Sequence, residues 1–463
     1  MKLTLAEVGQ AIQAVGEYEE HSEQLVQRIQ TDSRLVEPGD MFVCLQGENL
    51  DGHNFAREAV HKGAMAVVSE RPLWDLHIEV PVLLVQSSLQ ALGQLAAYWR
   101  NKFQGRVLAV TGSAGKTTVK ELLASILGQR SQVGKNYKNW NNELGLPLSI
   151  LGFSCREHYW VLEAGISKKG DMDILGQILN PDLALVVNVG PAHLQGLQDL
   201  AGVAREKARL LHYLRPGGLG VVSRDYPELT QRLPLREDMR LIPFSTRPGE
   251  ARLQGTYLGL QPSGKSRFEL DLEGQVLDLD LELHGEFMLE NLLAACSAAW
   301  SLGLDPEAIR LGLQQADPPE HRGQVKRLGK FLVIDDCYNA NPLSMRCALE
   351  HAQALASKGQ LYLILGDMKE LGQQSEEAHE DLGRSVAELE PSGVFYIGEY
   401  ASQFQAGYTS QGRAEVLHLL RDVQEILPCW RKLGPRQGIL LIKASRGCRL
   451  ERCLQLLGPE LEK

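Results

Sequence analysis

Short apolar runs alternate with amphipathic stretches along most of this chain. MFVCL at 41–45, AMAVVSE at 64–70 and PVLLVQ at 81–86 predict strands. A helix is expected over 54–62, and another through SLQALGQLAAYWRNKF at 88–103. The alternation resumes with RVLAV at 106–110, HYWVLEAG at 158–165, LALVVNVG at 183–190 and GLGVVS at 218–223. Apolar runs too short for helices, separated by amphipathic segments, predict a parallel sheet covered on both faces. Over 255–284 the pattern changes to a period of two with turns, as in SRFELDLEGQVLDLDLELHG. That period predicts antiparallel strands appended to the α/β core, and a helix follows over 287–302. QQADPPEHRGQ at 314–324, with paired prolines and turn residues, predicts a linker. Beyond it, FLVIDD at 331–336, LYLILGD at 361–367, GVFYIG at 393–398 and GILLIKA at 438–444 predict a small Rossmann-like unit without a GxGxxG fingerprint.

The fold class is therefore α/β, and length bounds the number of units at about two to four, of which the pattern marks three. A chain of 463 residues exceeds the roughly 250–300 that one core supports. Three domains are expected, at 1–100, 101–315 and 316–463. Hydrophobic residues at 44% and charged residues at 23% exclude a disordered, collagen-like or coiled-coil protein. A net charge of -10 gives no footprint of a nucleic-acid reader. No run reaches the ~18 apolar residues of a membrane span. The opening MKLTLAEVGQAIQAVG has a helical period rather than the apolar block of a signal peptide. The eight cysteines are scattered with no CxxC pair, as expected of reduced thiols in a cytoplasmic protein. No association motif is visible, so a monomer is expected.

The chemistry starts at TGSAGKTT, residues 111–118, between the strand at 106–110 and a helix with apolar Val119, Leu122, Leu123, Ile126 and Leu127. Gly112, Ser113, Ala114 and Gly115 can bring backbone N–H groups against phosphate oxygens, and the helix N-terminus adds positive potential. Lys116 would place a charge on the β- and γ-phosphates of ATP, and the Thr117 hydroxyl can ligate Mg²⁺, with Thr118 beside it. The alternative is a glycine-rich turn before a helix. The agreement of strand, loop, Lys-Thr-Thr and amphipathic helix favours a phosphate loop.

TGSAGKTT followed by NWNNELGLPLSIL at 139–151 resembles the Mur ligase family of ATP-dependent amide-bond-forming enzymes. The resemblance spans nearly the whole chain. TDSR at 31–34, PGDMFVCLQGENLDGHNF at 38–55 and GAMAVV look like the family's uridine-nucleotide domain. VLEAG at 161–165, NVGPAHLQGL at 188–197 and GVAREKARL at 202–210 resemble its central ATPase signatures. VIDDCYNANPLSM at 333–345, LGDMKELG at 365–372 and LIKASRGCRLE at 441–451 resemble the members that join D-alanyl-D-alanine to UDP-N-acetylmuramoyl-tripeptide.

The resemblance implies a three-domain architecture, with a uridine-nucleotide domain, a central P-loop ATPase and a C-terminal acceptor domain. It implies two small-molecule substrates besides ATP, and two Mg²⁺ ions. Glu163 and His193 would join Thr117 as metal ligands, and Lys207 matches the lysine that the family carbamylates. Asn291 matches an adenine contact, Arg322 an arginine that reaches ATP from the third domain, and Asp336 a ribose contact. Ser33, Arg34, Asp51, Gly52 and His53 fall in the uridine-nucleotide motifs. Asn139, Asn141, Asn142 and Glu143 would line the sugar-peptide side. Tyr338, Asn339, Asn341, Lys443, Ser445 and Arg446 fall where the incoming dipeptide should sit.

Blander readings stand beside these. Glu163 and His193 could be polar strand ends, Lys207 part of a solvated helix face, and Asn339 and Asn341 a cap before Pro342. The chain also departs from the family's G-x-H-N-x-x-N adenine motif, since Gly285 to Asn291 reads GEFMLEN. Another ligase of the same fold, or a nucleotide-binding relative without activity, are the competing functions.

Overall fold

The computed structural model of the chain describes residues 1–47, 49–234, 236–261, 264–317, 319–356, 360–411 and 414–462. Pro262 and Ser263 of the expected antiparallel stretch, and Pro318 of the expected linker, lie outside them. The first large sheet is parallel, with strand order Arg28–Gln30, Asp40–Val43, Ala66–Ser69 and Val82–Leu84. Asp40–Val43 and Ala66–Ser69 are buried along their whole length, so their sequences show no alternation. The helix expected at 54–62 begins as a 3-10 turn, Gly52–Phe55, and continues as Ala56–His61.

The second sheet has nine strands among the described residues. Val133–Lys135, Tyr159–Glu163, Arg106–Thr111, Leu183–Val186, Leu219–Ser223 and Arg240–Ser245 lie side by side and parallel. Leu253–Leu260 continues them, and Ser266–Leu272 and Gln275–Leu281 add antiparallel strands at the edge. In those last two, buried positions alternate with exposed or half-exposed ones, the period of two seen in the sequence. Helices Lys116–Gly128 and Met288–Ser301 cover one face, sharing a core with Leu108, Val110 and Leu185.

Helix Ser88–Lys102 ties the first unit to the second. Leu92, Leu95, Ala96 and Trp99 pack into one core with Val107, Trp160 and Ile178, and Phe103 stacks on Trp160 at 3.9 Å. Arg100, 0% exposed, donates to Leu179 O at 2.8 Å, and to Asn180 O and Asp182 Oδ2 at 2.9 Å each. It thereby satisfies carbonyls at the C-terminus of helix Asp171–Leu179 that would otherwise lack donors. Arg100→Ala is expected to cost about 1–3 kcal/mol, because the Leu179 and Asn180 carbonyls lose their donor while Asp182 keeps Val107 N–H. Chemical denaturation of the purified variant measures this loss.

The third sheet runs Gln324–Leu328, Phe331–Asp335, Gly438–Lys443, Leu361–Gly366, Gly393–Ile397 and Leu417–Leu420. Only the first pair is antiparallel; the others are parallel, as a Rossmann-like unit requires. Gln324–Leu328 is a strand that sequence pattern did not predict. It is a half-exposed edge strand of mixed polarity, which carries no periodic signal. Arg240–Ser245 carries no clear strand pattern for a related reason, with Pro243 interrupting a short run.

Candidate active site

The carboxyl ends of the second and third sheets deliver their side chains into one cleft of about 820 Å³. On the central side, strand Arg106–Thr111 is flanked by Leu183–Val186 and Tyr159–Glu163. The loop after it therefore emerges in the crevice where ligands bind in open α/β sheets. Gly115 adopts φ 76°, and a side-chain carbon there would sit 2.0 Å from Asn291 Oδ1. Only glycine lets the loop close against helix Met288–Ser301. Ala114 N–H donates to Asn188 Oδ1 at 2.9 Å, and Ser113 Oγ donates to Gly190 O at 2.8 Å.

Two lysines converge on one carbonyl. Lys116 Nζ donates to Gly112 O at 2.7 Å, and Lys207 Nζ donates to the same oxygen at 3.0 Å. Burial pushes both amines below the usual lysine range, Lys207 well below it, while Glu163 pulls the other way. The nearby Arg322 charge adds to the effect on Lys116, and Lys116 adds to that on Lys207. Glu163, 1% exposed, accepts from Thr117 Oγ1 at 2.7 Å and from Asn141 Nδ2 at 2.8 Å. Its own N–H donates to Asn136 Oδ1 at 3.0 Å. His193 lines the same cleft, together with Thr118, Asn139, Asn142 and Glu143. The phosphate-loop, carboxylate and asparagine groups expected from the sequence thus share one wall.

The opposite wall comes from the third sheet. The Arg322 guanidinium lies 4.0 Å from the centre of the Tyr338 ring. This segment is held by His321 Nδ1 against the buried Asp335 at 2.8 Å, and by Tyr338 N–H donating to His321 O at 3.1 Å. Lys443, 1% exposed, donates to Asp336 Oδ2 and to Asn339 O. Burial raises the Asp336 carboxyl above its ordinary value, against the pull of Lys443 and Arg322. Asn341 caps helix Pro342–Leu355, and its Nδ2 reaches across to Ser113 O at 3.3 Å.

Other expected residues stand outside the lining of this cleft. Ser445 Oγ accepts from Lys369 N–H and donates to Ala340 O, supporting the wall from behind. Arg446 pairs with Glu451 on the surface. Ser33, Arg34, Asp51, Gly52 and His53 form a separate group in the first unit. There Ser33 Oγ donates to Glu58, Arg34 pairs with Asp32, and Arg71 pairs with Asp51. Gly52 N–H donates to Leu45 O at 2.8 Å. Both ring nitrogens of His53 are engaged internally, with Asp51 Oδ1 and Glu70 N–H, so His53 shapes this loop.

Similarity to known proteins runs along most of the chain. Residues 25–100 match the Mur ligase family catalytic domain, 110–299 the Mur ligase middle domain, and 321–446 the Mur ligase glutamate ligase domain. The UDP-N-acetylmuramoyl-tripeptide–D-alanyl-D-alanine ligase of Escherichia coli K12 is 32% identical, over 93% of each chain. The crystal structure of MurF from Acinetobacter baumannii superposes with a TM-score of 0.90 at 31% identity, over 99% of both chains. The chain belongs to the Mur ligase family, in its MurF branch. MurF from Thermotoga maritima, solved in complex with ADP, gives a TM-score of 0.82 at 30% identity, over 94% of this chain and 98% of that one.

In this Mur ligase the segment leading into helix Met288–Ser301 packs against the C-terminal unit. Phe287 meets His351 of helix Pro342–Leu355 edge-on at 6.0 Å, and His284 stacks near the same ring at 6.4 Å. Burial lowers the His351 pKa to about 4. Asn291 remains in the cleft beside the phosphate loop.

Sequence reasoning overlooked Asn188, Glu290 and Glu370, all of which line the cleft. Asn188 bridges the phosphate loop to Glu290, its Nδ2 donating to Glu290 Oε2 at 2.8 Å. Burial raises the Glu290 carboxyl to about 7, with Asn188 and Tyr226 opposing and Asp225 assisting. A carboxyl whose folded pKa lies above its unfolded value contributes most to stability below the unfolded pKa. That contribution is lost as pH rises through the folded one. The stability of the wild type relative to Glu290→Gln is therefore expected to fall between about pH 5 and about pH 8. The fall should be ~2 kcal/mol, after discounting for partial exposure. Urea denaturation of both proteins at the two pH values reads the difference.

Proposed function

We propose that the chain joins D-alanyl-D-alanine to UDP-N-acetylmuramoyl-tripeptide, with ATP converted to ADP and phosphate. The observation that carries this reading is the single cleft in which Lys116 and Glu163 face Arg322 and Lys443. Amide formation from a carboxylate and an amine in water is uphill. ATP removes the obstacle by turning the carboxylate into an acyl phosphate. A carboxylate oxygen of the tripeptide attacks the γ-phosphorus and ADP leaves. The dipeptide amine then attacks the acyl carbon, and phosphate departs with that oxygen. Such phosphoryl transfer needs charge neutralisation and alignment rather than a protein nucleophile. Lys116 from one wall and Arg322 from the other would supply the protein's share.

The donor set suits Mg²⁺. Glu163 is a buried carboxylate beside the Thr117 hydroxyl, and hard divalent cations take oxygen ligands. Thr117, Glu163 and His193 would hold the metal, and two Mg²⁺ ions when bound would neutralise charge on the transferring phosphoryl group. Burial pulls the Lys207 pKa down, which favours the neutral amine, the form that would add carbon dioxide to become a carbamate. Asn291 would contact adenine and Asp336 the ribose.

Ser33, Arg34 and the Asp51–His53 loop would bind the uridine nucleotide, and residues 139–143 the sugar-peptide. Tyr338, Asn339, Asn341 and Lys443 would receive the dipeptide, with Ser445 and Arg446 behind them. Three functional units at 1–100, 101–315 and 316–463 fit this division of labour. The cleft is completed within one chain, which supports a monomer. No helix among the described residues is long and apolar enough to cross a membrane, and ATP and UDP-linked substrates suit a cytoplasmic reaction.

The test is phosphate release from Mg-ATP with UDP-N-acetylmuramoyl-tripeptide, with and without D-alanyl-D-alanine. Release that depends on the dipeptide is expected. Release stimulated instead by a single amino acid would assign the chain to another step.

A further inference from the structure

His193 and Glu370 are separated by 177 positions, yet they meet at the mouth of the cleft. The Nδ1 atom of His193 bonds the Glu370 carboxylate. Glu370 O also accepts from Gln195 N–H at 3.3 Å, so the two segments join at side chain and backbone together. Both residues are left-handed, with φ 55° at His193 and 67° at Glu370. A residue other than glycine holds that conformation only where the surroundings over-determine it.

The surroundings here do so. The loop carrying Glu370 belongs to the third sheet and is pinned on each side. Asp367 accepts from Tyr396 Oη and Glu399 N–H, Met368 N–H donates to His379 Nε2, and Lys369 N–H donates to Ser445 Oγ, all at 2.9 Å. His379 is fully buried. Gly372, at φ 59°, lets the loop close on Gln195, where an added side-chain carbon would lie 3.2 Å from Gln195 Cα.

The contact fixes the chemistry of the imidazole. A carboxylate accepts only, so the ring meets Glu370 through an Nδ1 proton, and Nε2 is the ring nitrogen left to face a cation. Carboxylate partners of this kind orient a metal-ligating histidine and raise its basicity. We propose that Glu370 is a positioning residue that sets the His193 ring for a divalent cation, so that the cation site of the central unit is complete only when the C-terminal unit is docked. This rests on the reading of His193 as a metal ligand, and deepens it. Docking of the acceptor-binding unit and assembly of the metal site become one event.

The experiment titrates Mn²⁺ into the full chain with ADP present and reads free Mn²⁺ by electron paramagnetic resonance. Wild type, Glu370→Gln, His193→Ala and the double variant are compared, with melting curves confirming that each is folded. Glu370→Gln is expected to weaken Mn²⁺ binding by about ten-fold, and to change nothing further once His193 is alanine. Equal weakening in both backgrounds would mean that Glu370 acts on the fold generally, and would overturn the proposal. Wild-type affinity in Glu370→Gln, with affinity lost in His193→Ala, would also overturn it while leaving His193 a ligand. Wild-type affinity in His193→Ala would remove the metal reading of His193 itself.

Discussion

Arg322→Ala is expected to lower the rate of ligation by about three orders of magnitude, at the low end of what an arginine placed on a transferring phosphoryl group contributes. The side chain reaches the cleft from the third-sheet wall, opposite the phosphate loop. Its guanidinium rests over the Tyr338 ring at 4.0 Å. The backbone on either side is held through His321 and Asp335, so the alanine variant should keep the wall intact. Arg322→Lys should recover little, because a lysine lacks the planar fork and stacks less well on an aromatic face. Rapid-quench measurement of ADP formation separates this loss from any weakening of nucleotide binding. A variant within about two-fold of wild type would mean that Arg322 stays off the phosphates during the reaction.

Lys116→Ala is expected to cost two to three orders of magnitude in kcat, on the order of removing one preorganised charge-stabilising donor. Lys116 is half-exposed yet lies in the crowded floor of the cleft, 2.7 Å from Gly112 O. Burial lowers its pKa, and a triphosphate brought beside it would favour the charged form again. Its contribution should therefore appear only with phosphates bound, leaving the unfolding midpoint of the free protein nearly unchanged. Thermal melts with and without ATP test that split. The wild type should gain stability with the nucleotide, and the variant should gain much less.

The elements that carry chemistry were largely legible. TGSAGKTT between a strand and an amphipathic helix defines its own structure, because glycine, lysine and helix start are local features. The period-two stretch near 266–281 became antiparallel strands for the same reason. Three kinds of feature were not legible. Gln324–Leu328 is an edge strand with no burial pattern to read. Lys207 looks like part of a solvated helix face, and its burial follows from where helix Leu200–Ala208 packs. Glu370 sits in a motif that was noticed, but nothing local says that its loop meets His193. Such pairings are decided by the docking of distant units. The chain signals only some of their consequences, such as the replacement of a polar motif residue by Phe287 where His351 packs.

Ligation through an acyl phosphate is tested most directly with UDP-N-acetylmuramoyl-tripeptide whose terminal carboxylate is labelled with oxygen-18. It is incubated with the full chain, Mg-ATP and D-alanyl-D-alanine, and both products are weighed by mass spectrometry. A pentapeptide product is expected, with a labelled oxygen carried into the inorganic phosphate, as transfer through an acyl phosphate requires. Unlabelled phosphate, or ATP consumption without a pentapeptide, would contradict it.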